Sequence, residues 1–428
     1  MPATAASSIA ELAHVRSSQP PVDSPFVTFH DDVTGERTEL GYATFENWVA
    51  KSANLLVEEF QVARGDRVAL LLGTHWTTAV LAFACWRIGA CVVPGDRSSP
   101  ADALRALLTA SGATVVVVEE AVVDLADALP AGAGLLAVGS GMGGRLTHAE
   151  LPDGALAFGD EVPAFADDYD GRLGEVSDDA LLALPGVGKV GAGKVGAGQV
   201  ATQPVRHTQR TLLAAAETIR RWGVSDDDRL LVTRPPTSVD GLVLGVLAPW
   251  VVGGSVVVVR DPDPGALWAK VATERATLAL TDATVLDRLP APGAPHGLAH
   301  LLVPDGAARE VVRRAEKRLG TAVAVGHGVA EAVCVSTLTP AHTGPEVSDW
   351  LARCAAPTVG VATSGTDVAI LGAGARPVDD GDRGEICVRG AVVTPEVGEG
   401  WLHTGDEGFV DTGPDGNRWV FVTGAITR

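Results

Sequence analysis

At 428 residues, 46% hydrophobic and 20% charged, the chain has a globular composition with material for two or three cores, which excludes a wholly disordered protein. Its formal charge of −20 argues against nucleic acid and anionic membranes as partners, since both require a concentrated basic face. No apolar run reaches the ~18–20 residues of a membrane span, the N-terminus lacks a signal-peptide core, and five cysteines without a C-x-x-C pair read as reduced thiols, so a cytoplasmic protein is expected.

From residue 45, Phe45, Trp48, Val49, Leu55, Leu56 and Phe60 recur at helical spacing, and the apolar run 68–73 follows as a strand. The spacing predicts helix 77–88 and strand 91–95, then helix 101–110 and strand 113–120. Residues 130–175 are rich in Gly, Ala and Asp and mark a seam. Alternation resumes with helix 210–222, strand 229–234, helix 241–252, strand 255–260, helix 265–275 and strand 277–282. Strands this apolar, separated by helices, imply parallel sheets covered on both faces. Beyond 355, short strands at 367–371, 385–390 and 418–422 between Gly, Pro and Asp turns suit a small antiparallel sheet or barrel.

Several segments then fall in a set order: LGYATF at 40–45, RIGACVVPGD at 87–96, GHGVAEA at 326–332, RGEICVRG at 383–390 and GWLHTGD at 400–406. On these residues the chain resembles the adenylate-forming superfamily of acyl-CoA synthetases, peptide-synthetase adenylation domains and luciferases over nearly its whole length. The resemblance implies an α/β protein with two α/β lobes and a small β-barrel-like subdomain, the acetyl-CoA synthetase-like N-terminal fold. The expected divisions are 1–175, 176–345 with the nucleotide loop, and 346–428.

The resemblance also implies ATP, Mg²⁺ and CoA as cofactors, with a carboxylic acid as substrate and CoA or an acyl carrier protein as thiol partner. Asp406 would hold the ribose hydroxyls from an aromatic-led turn, and Glu331 would hold Mg²⁺ through a hard oxygen ligand. His327, in place of the family's aromatic, would stack on adenine beside Gly328, while Ala330 removes a threonine hydroxyl. DGAA at 305–308, with Gly306, would border adenine and substrate. Thr237 and Ser238 would stand in the acyl-pocket segment.

The phosphate loop departs furthest from the family. Gly188, Gly191 and Lys194 fall on its two glycines and its lysine, but the hydroxyl positions are lost and the five-residue unit GKVGA is repeated. Glycines and lysine preserve backbone donors and charge; the plainer alternative is a Gly-rich surface loop. Thr363-Ser364-Gly365-Thr366 looks more like the family loop yet precedes a strand rather than a helix, so a structural turn is expected there. Arg309, Arg313 and Lys317 share a helical face, which suits either a solvated helix or a CoA-facing patch. The sequence ends at the hinge-like Gly424-Ala425-Ile426-Thr427-Arg428, and its last lysine is Lys317. The family's C-terminal lid would supply a catalytic lysine, so slow acyl-adenylate formation and still slower thioester formation are expected of this polypeptide alone. Two functions remain open: an acid-activating ligase with Lys194 and Glu331 in catalytic roles, or a non-catalytic homologue that binds nucleotide, acyl-adenylate or a protein.

Overall fold

In the computed structural model, the residues described are 8–18, 25–97, 99–120, 129–148, 150–183, 204–304, 306–340, 343–354 and 356–426. After β1 (Pro25–Asp31) and β2 (Arg37–Gly41), helix and strand alternate: helix Tyr42–Glu58, β3 (Arg67–Leu71), helix Trp76–Ile88, β4 (Cys91–Pro94), helix Ala101–Ser111 and β5 (Val115–Glu119). The lobe continues with β6 (Gly134–Val138), β7 (Leu156–Ala157), β8 (Asp179–Ala183) and β9 (Val205–Thr208). Its seven strands lie in the order β7-β6-β5-β3-β4-β8-β9, with every neighbouring pair parallel except β8 and β9. Strands such as Val115–Glu119 are buried at every position, as a sheet sandwiched between helices requires.

The second lobe opens with helix Gln209–Arg221 and runs through β10 (Arg229–Val232), β11 (Ser255–Arg260), β12 (Leu278–Leu280), β13 (His300–Val303) and β14 (Ala322–Val329). Antiparallel strands follow: β15 (Ala332–Leu338), β16 (Thr358–Ala362), β17 (Thr366–Leu371), β18 (Gly384–Gly390), β19 (Leu402–Thr412) and β20 (Arg418–Ala425). These join the parallel strands in one sheet of thirteen, ordered β17-β18-β19-β20-β16-β15-β14-β13-β12-β10-β11-β1-β2.

Two features differ from the sequence expectations. β1 pairs in parallel with β11, Val27 opposite Val256, and so belongs to the second lobe's sheet. Five of its seven residues are buried, and a strand apolar on both faces needs a partner with cover on either side. Glu274 pins this distant pairing, its carboxylate 2.8 Å from His30 Nε2, 2.9 Å from Arg37 Nε and 2.8 Å from an Arg229 guanidinium nitrogen. The Arg37 hydrogen bond leads in holding the Glu274 carboxyl down to about 2. The predicted helix 241–252 is also interrupted: α-helix Val239–Leu242 passes into a π-turn, Val243–Leu247, before α-helix Ala248–Val252. Pro249 has no amide hydrogen to donate, so the ladder tolerates a changed register just before it.

A chain of rings ties the lobes together. Phe26, Phe45, Phe83 and Trp250 meet in sequence at 4.8, 5.2 and 5.2 Å between centroids, all fully buried. Edge-to-face packing of this kind favours a single relative placement of β1 and the three helices that carry it.

Burial pushes the His75 imidazole down to about 3 and the His207 imidazole down to about 4. An unfolded histidine binds its proton near pH 6.5, so the unfolded chain takes up protons there that the folded chain refuses. Their contribution is intact above that pH and is lost progressively as pH falls towards about 4 for His207 and about 3 for His75. Each should cost on the order of 1–2 kcal/mol of stability by about pH 5. Urea unfolding at about pH 7.5 and pH 5 should show this drop, and His207→Gln should shrink it; equal stability at the two pH values would refute it.

Candidate functional site

The motif GHGVAEA forms the end of β14, a two-residue turn at Ala330 and Glu331, and the start of β15. The hairpin is irregular. His327 pairs with Thr337 and Val329 with Ala332, with a register shift at the intervening Gly328. Cys334 turns left-handed there (φ 61°), and a Cβ on Gly328 would lie 1.7 Å from its carbonyl oxygen. Glycine at 328 is thus demanded by the close backbone approach. Gly306 (φ 79°) lies beside the same strand, the position of its absent Cβ being 3.7 Å from the Gly326 carbonyl oxygen.

Asp406 lies within β19, opposite Ala425 of β20, rather than on the turn that the sequence suggested. The backbone is nonetheless specialised. Gly405 has φ 78° and donates its amide to Glu385 Oε1 at 3.1 Å, while Thr404 Oγ1 donates to the Ile386 carbonyl at 2.7 Å and accepts from the Asp406 amide at 3.2 Å. Left-handed backbone selects the glycine. The threonine hydroxyl, holding both neighbours, fixes the direction of the following carboxylate.

Two motifs 79 residues apart then meet. His327 Nε2 is 2.7 Å from Asp406 Oδ2; His327 is 7% exposed and Asp406 0%. Among the described residues, Asp406 Oδ1 and His327 Nδ1 are buried without a hydrogen-bond partner. An unsatisfied buried polar atom costs about 1–3 kcal/mol, more when charged. A ligand that presents hydroxyls to Asp406 Oδ1 would remove that penalty. The imidazole that was expected to stack is therefore also the carboxylate's hydrogen-bond partner.

Glu331 is half-buried at the hairpin tip, and the tip is anchored on both sides. The Thr394 amide donates to the Glu331 carbonyl at 2.7 Å, and His207 Nε2 donates to the Ala330 carbonyl at 2.8 Å. His207, on β9, was missed by the sequence reading. Its location just before helix Gln209–Arg221, whose Thr208 hydroxyl caps the Thr211 amide, was the available signal. With Nε2 donating, Nδ1 is left as a buried acceptor with no partner among the described residues. Gly188, Gly191 and Lys194 lie outside the described residues, which resume at 204, next to β9.

Other singled-out residues have structural work. Arg309 donates to the Leu351 and Ala352 carbonyls at 2.7 and 3.0 Å and also bonds the Cys354 carbonyl, so it caps helix Pro345–Arg353. Arg314, on the same helix as Arg309 and beside its basic face, pairs with Asp287 at 2.6 Å. The basic face is thereby partly spent on packing. Thr363–Thr366 closes as a turn, Thr366 N to Thr363 O at 3.1 Å with Gly365 at φ 71°. Ser238 caps a short helix through the Gly241 amide at 3.1 Å, beside a buried Arg234–Asp240 pair at 2.5 Å. A surface hollow lined by Pro292, His296, Leu298 and Leu319 contains none of the candidate residues.

The sequence profile of the family described as AMP-binding enzyme matches residues 14–154 and 204–396, well over half of the chain. The chain belongs to that family. Among its relatives, a Mycobacterium tuberculosis protein is 36% identical over 257 residues, covering 60% of this chain and 91% of that one. A feruloyl-CoA synthase of an Amycolatopsis species is 30% identical over 403 residues, 87% of this chain and 72% of its own length. In fold, apo MatB from Rhodopseudomonas palustris superposes with TM-score 0.76 at 19% identity, over 97% of this chain and 78% of that one. As a member of the AMP-binding enzyme family, the chain has the two-lobed acetyl-CoA synthetase-like α/β architecture. No helix among the described residues is long and apolar enough to cross a membrane.

Proposed function

We propose that this AMP-binding family member is an ATP-dependent, carboxylic-acid-activating ligase, with Asp406 as the ribose-binding carboxylate. The observation that carries this reading is the buried His327–Asp406 pair, in which Asp406 Oδ1 and His327 Nδ1 have no hydrogen-bond partner among the described residues. An acceptor without a protein donor has the capacity to take the hydroxyls of a ribose. ATP would supply the α-phosphate that a carboxylate attacks, giving acyl-AMP and pyrophosphate before transfer to a thiol such as CoA.

On this reading, His327 holds Asp406 in place and presents its ring beside the adenine, with Gly306 keeping the adjacent backbone low enough for a flat base. Glu331 would supply an oxygen ligand for Mg²⁺ from a hairpin tip that His207 and Thr394 hold from opposite sides. Lys194, with the amides near Gly188 and Gly191, neutralises pyrophosphate oxygens. Chemistry of this kind rests on positioning and charge neutralisation. The feruloyl-CoA synthase relative supports an aryl acid as substrate.

Ala330, which places a methyl where the family motif carries a threonine hydroxyl, favours a second reading: a homologue that binds nucleotide without activating acid. ATP–pyrophosphate exchange with fatty, benzoic and hydroxycinnamic acids separates the two. Acid-dependent exchange supports the ligase, AMP binding without exchange supports the binding protein, and absence of both rejects the site.

A further inference from the structure

The described residues hold one cluster of metal-ligating side chains outside the nucleotide reading: Glu385 and Cys387 on β18 and His403 on β19. The sheet itself assembles it. Cys387 lies opposite His403 in the antiparallel register, and the pairing is irregular between Glu385 and Cys387, at the step that separates the two β18 ligands. His403 Nδ1 is 3.5 Å from Cys387 Sγ and 2.8 Å from Glu385 Oε2, and the three ligand atoms all lie within 4.8 Å of one another.

The sulfur–nitrogen separation matches an edge of a coordination tetrahedron. With bonds of about 2.3 Å to sulfur and about 2.0–2.1 Å to nitrogen or oxygen, a tetrahedral zinc ion holds S and N about 3.6 Å apart and N and O about 3.4 Å apart. The sulfur–nitrogen edge is already in place. The imidazole–carboxylate edge is a hydrogen bond that must open by roughly 0.6 Å, which the rotation of an exposed His403 ring allows. Glu385 is held by its other oxygen, Oε1 accepting from the Gly405 amide at 3.1 Å, an outer contact that orients a ligating carboxylate. The Cys387 sulfur is buried and the His403 ring exposed, so the ion would sit with three protein ligands at the sheet surface and its fourth position open to water. The other four cysteines belong to no such cluster among the described residues.

We propose that Glu385, Cys387 and His403 form a binding site for a borderline-soft divalent cation, with Zn²⁺ as the fitting ion and Co²⁺ as its spectroscopic substitute. Thiolate with imidazole selects such ions over Mg²⁺ and Ca²⁺, which take oxygen ligands. Metal binding releases the thiol proton, so affinity rises with pH. The proposal does not depend on nucleotide binding and would survive the loss of the Asp406 assignment.

The experiment is titration of the purified full chain, stripped with a chelator, with CoCl₂ under reducing, oxygen-free conditions. One equivalent should produce a thiolate-to-cobalt charge-transfer band with the intense visible bands of a four-coordinate site, and ZnCl₂ should bleach both. Cys387→Ser should abolish the charge-transfer band. Because Cys387 packs in the core, the exposed His403→Asn is the companion variant and should weaken affinity at least about tenfold at unchanged thermal stability. Weak six-coordinate bands alone, or Co²⁺ affinity unchanged in His403→Asn, would overturn the site.

Discussion

Asp406→Asn should weaken AMP binding roughly ten- to a hundredfold, the loss of about 1.5–3 kcal/mol expected when hydrogen bonds to a charged group are removed. Asparagine retains the shape of a side chain that is fully buried and hydrogen-bonded to His327, so the substitution tests charge more than packing. It also leaves one oxygen acceptor. Calorimetry with AMP, performed on variants whose unfolding midpoints match wild type, gives the measurement. Equal affinity in wild type and Asp406→Asn would remove the basis of the ribose assignment.

Glu331→Gln should leave AMP binding nearly untouched and damage only what depends on Mg²⁺. If the carboxylate is the metal ligand, its loss should slow acid-dependent ATP–pyrophosphate exchange by about a hundredfold, the scale on which one electrostatic stabiliser contributes at a reacting centre. A direct readout independent of turnover is the enhancement of ATP affinity by Mg²⁺, which the variant should lose. Glutamine keeps the backbone carbonyl contact with Thr394, so the hairpin tip should hold its shape. Wild-type Mg²⁺ dependence in Glu331→Gln would assign the metal elsewhere.

The local pattern made most helices and strands legible, because apolar runs such as Val115–Glu119 and amphipathic stretches such as Gln209–Arg221 declare their periods within a few residues. The pairing of β1 with β11 was not legible, since it joins residues more than two hundred positions apart through valines that would suit either sheet. A π-turn leaves no separate sequence period over five residues, so Val243–Leu247 read as ordinary helix. At the candidate site, motif order singled out Asp406, Glu331 and His327 individually. The 2.7 Å contact between His327 and Asp406 depends on β14 and β19 being brought together across the antiparallel part of the sheet, which no motif encodes. His207 has no motif of its own in the sequence, a lone histidine just ahead of a helix, whereas packing makes it a buried brace for Ala330.

The central claim is that Asp406 engages the ribose hydroxyls, and a cycle of ligand and protein changes isolates that contact. AMP and 2′,3′-dideoxy-AMP are titrated calorimetrically into wild type and into Asp406→Asn. Wild type should prefer AMP by roughly tenfold or more, and the variant should bind both nucleotides alike. A wild type that does not distinguish them, or a variant that keeps the full preference, would contradict the assignment.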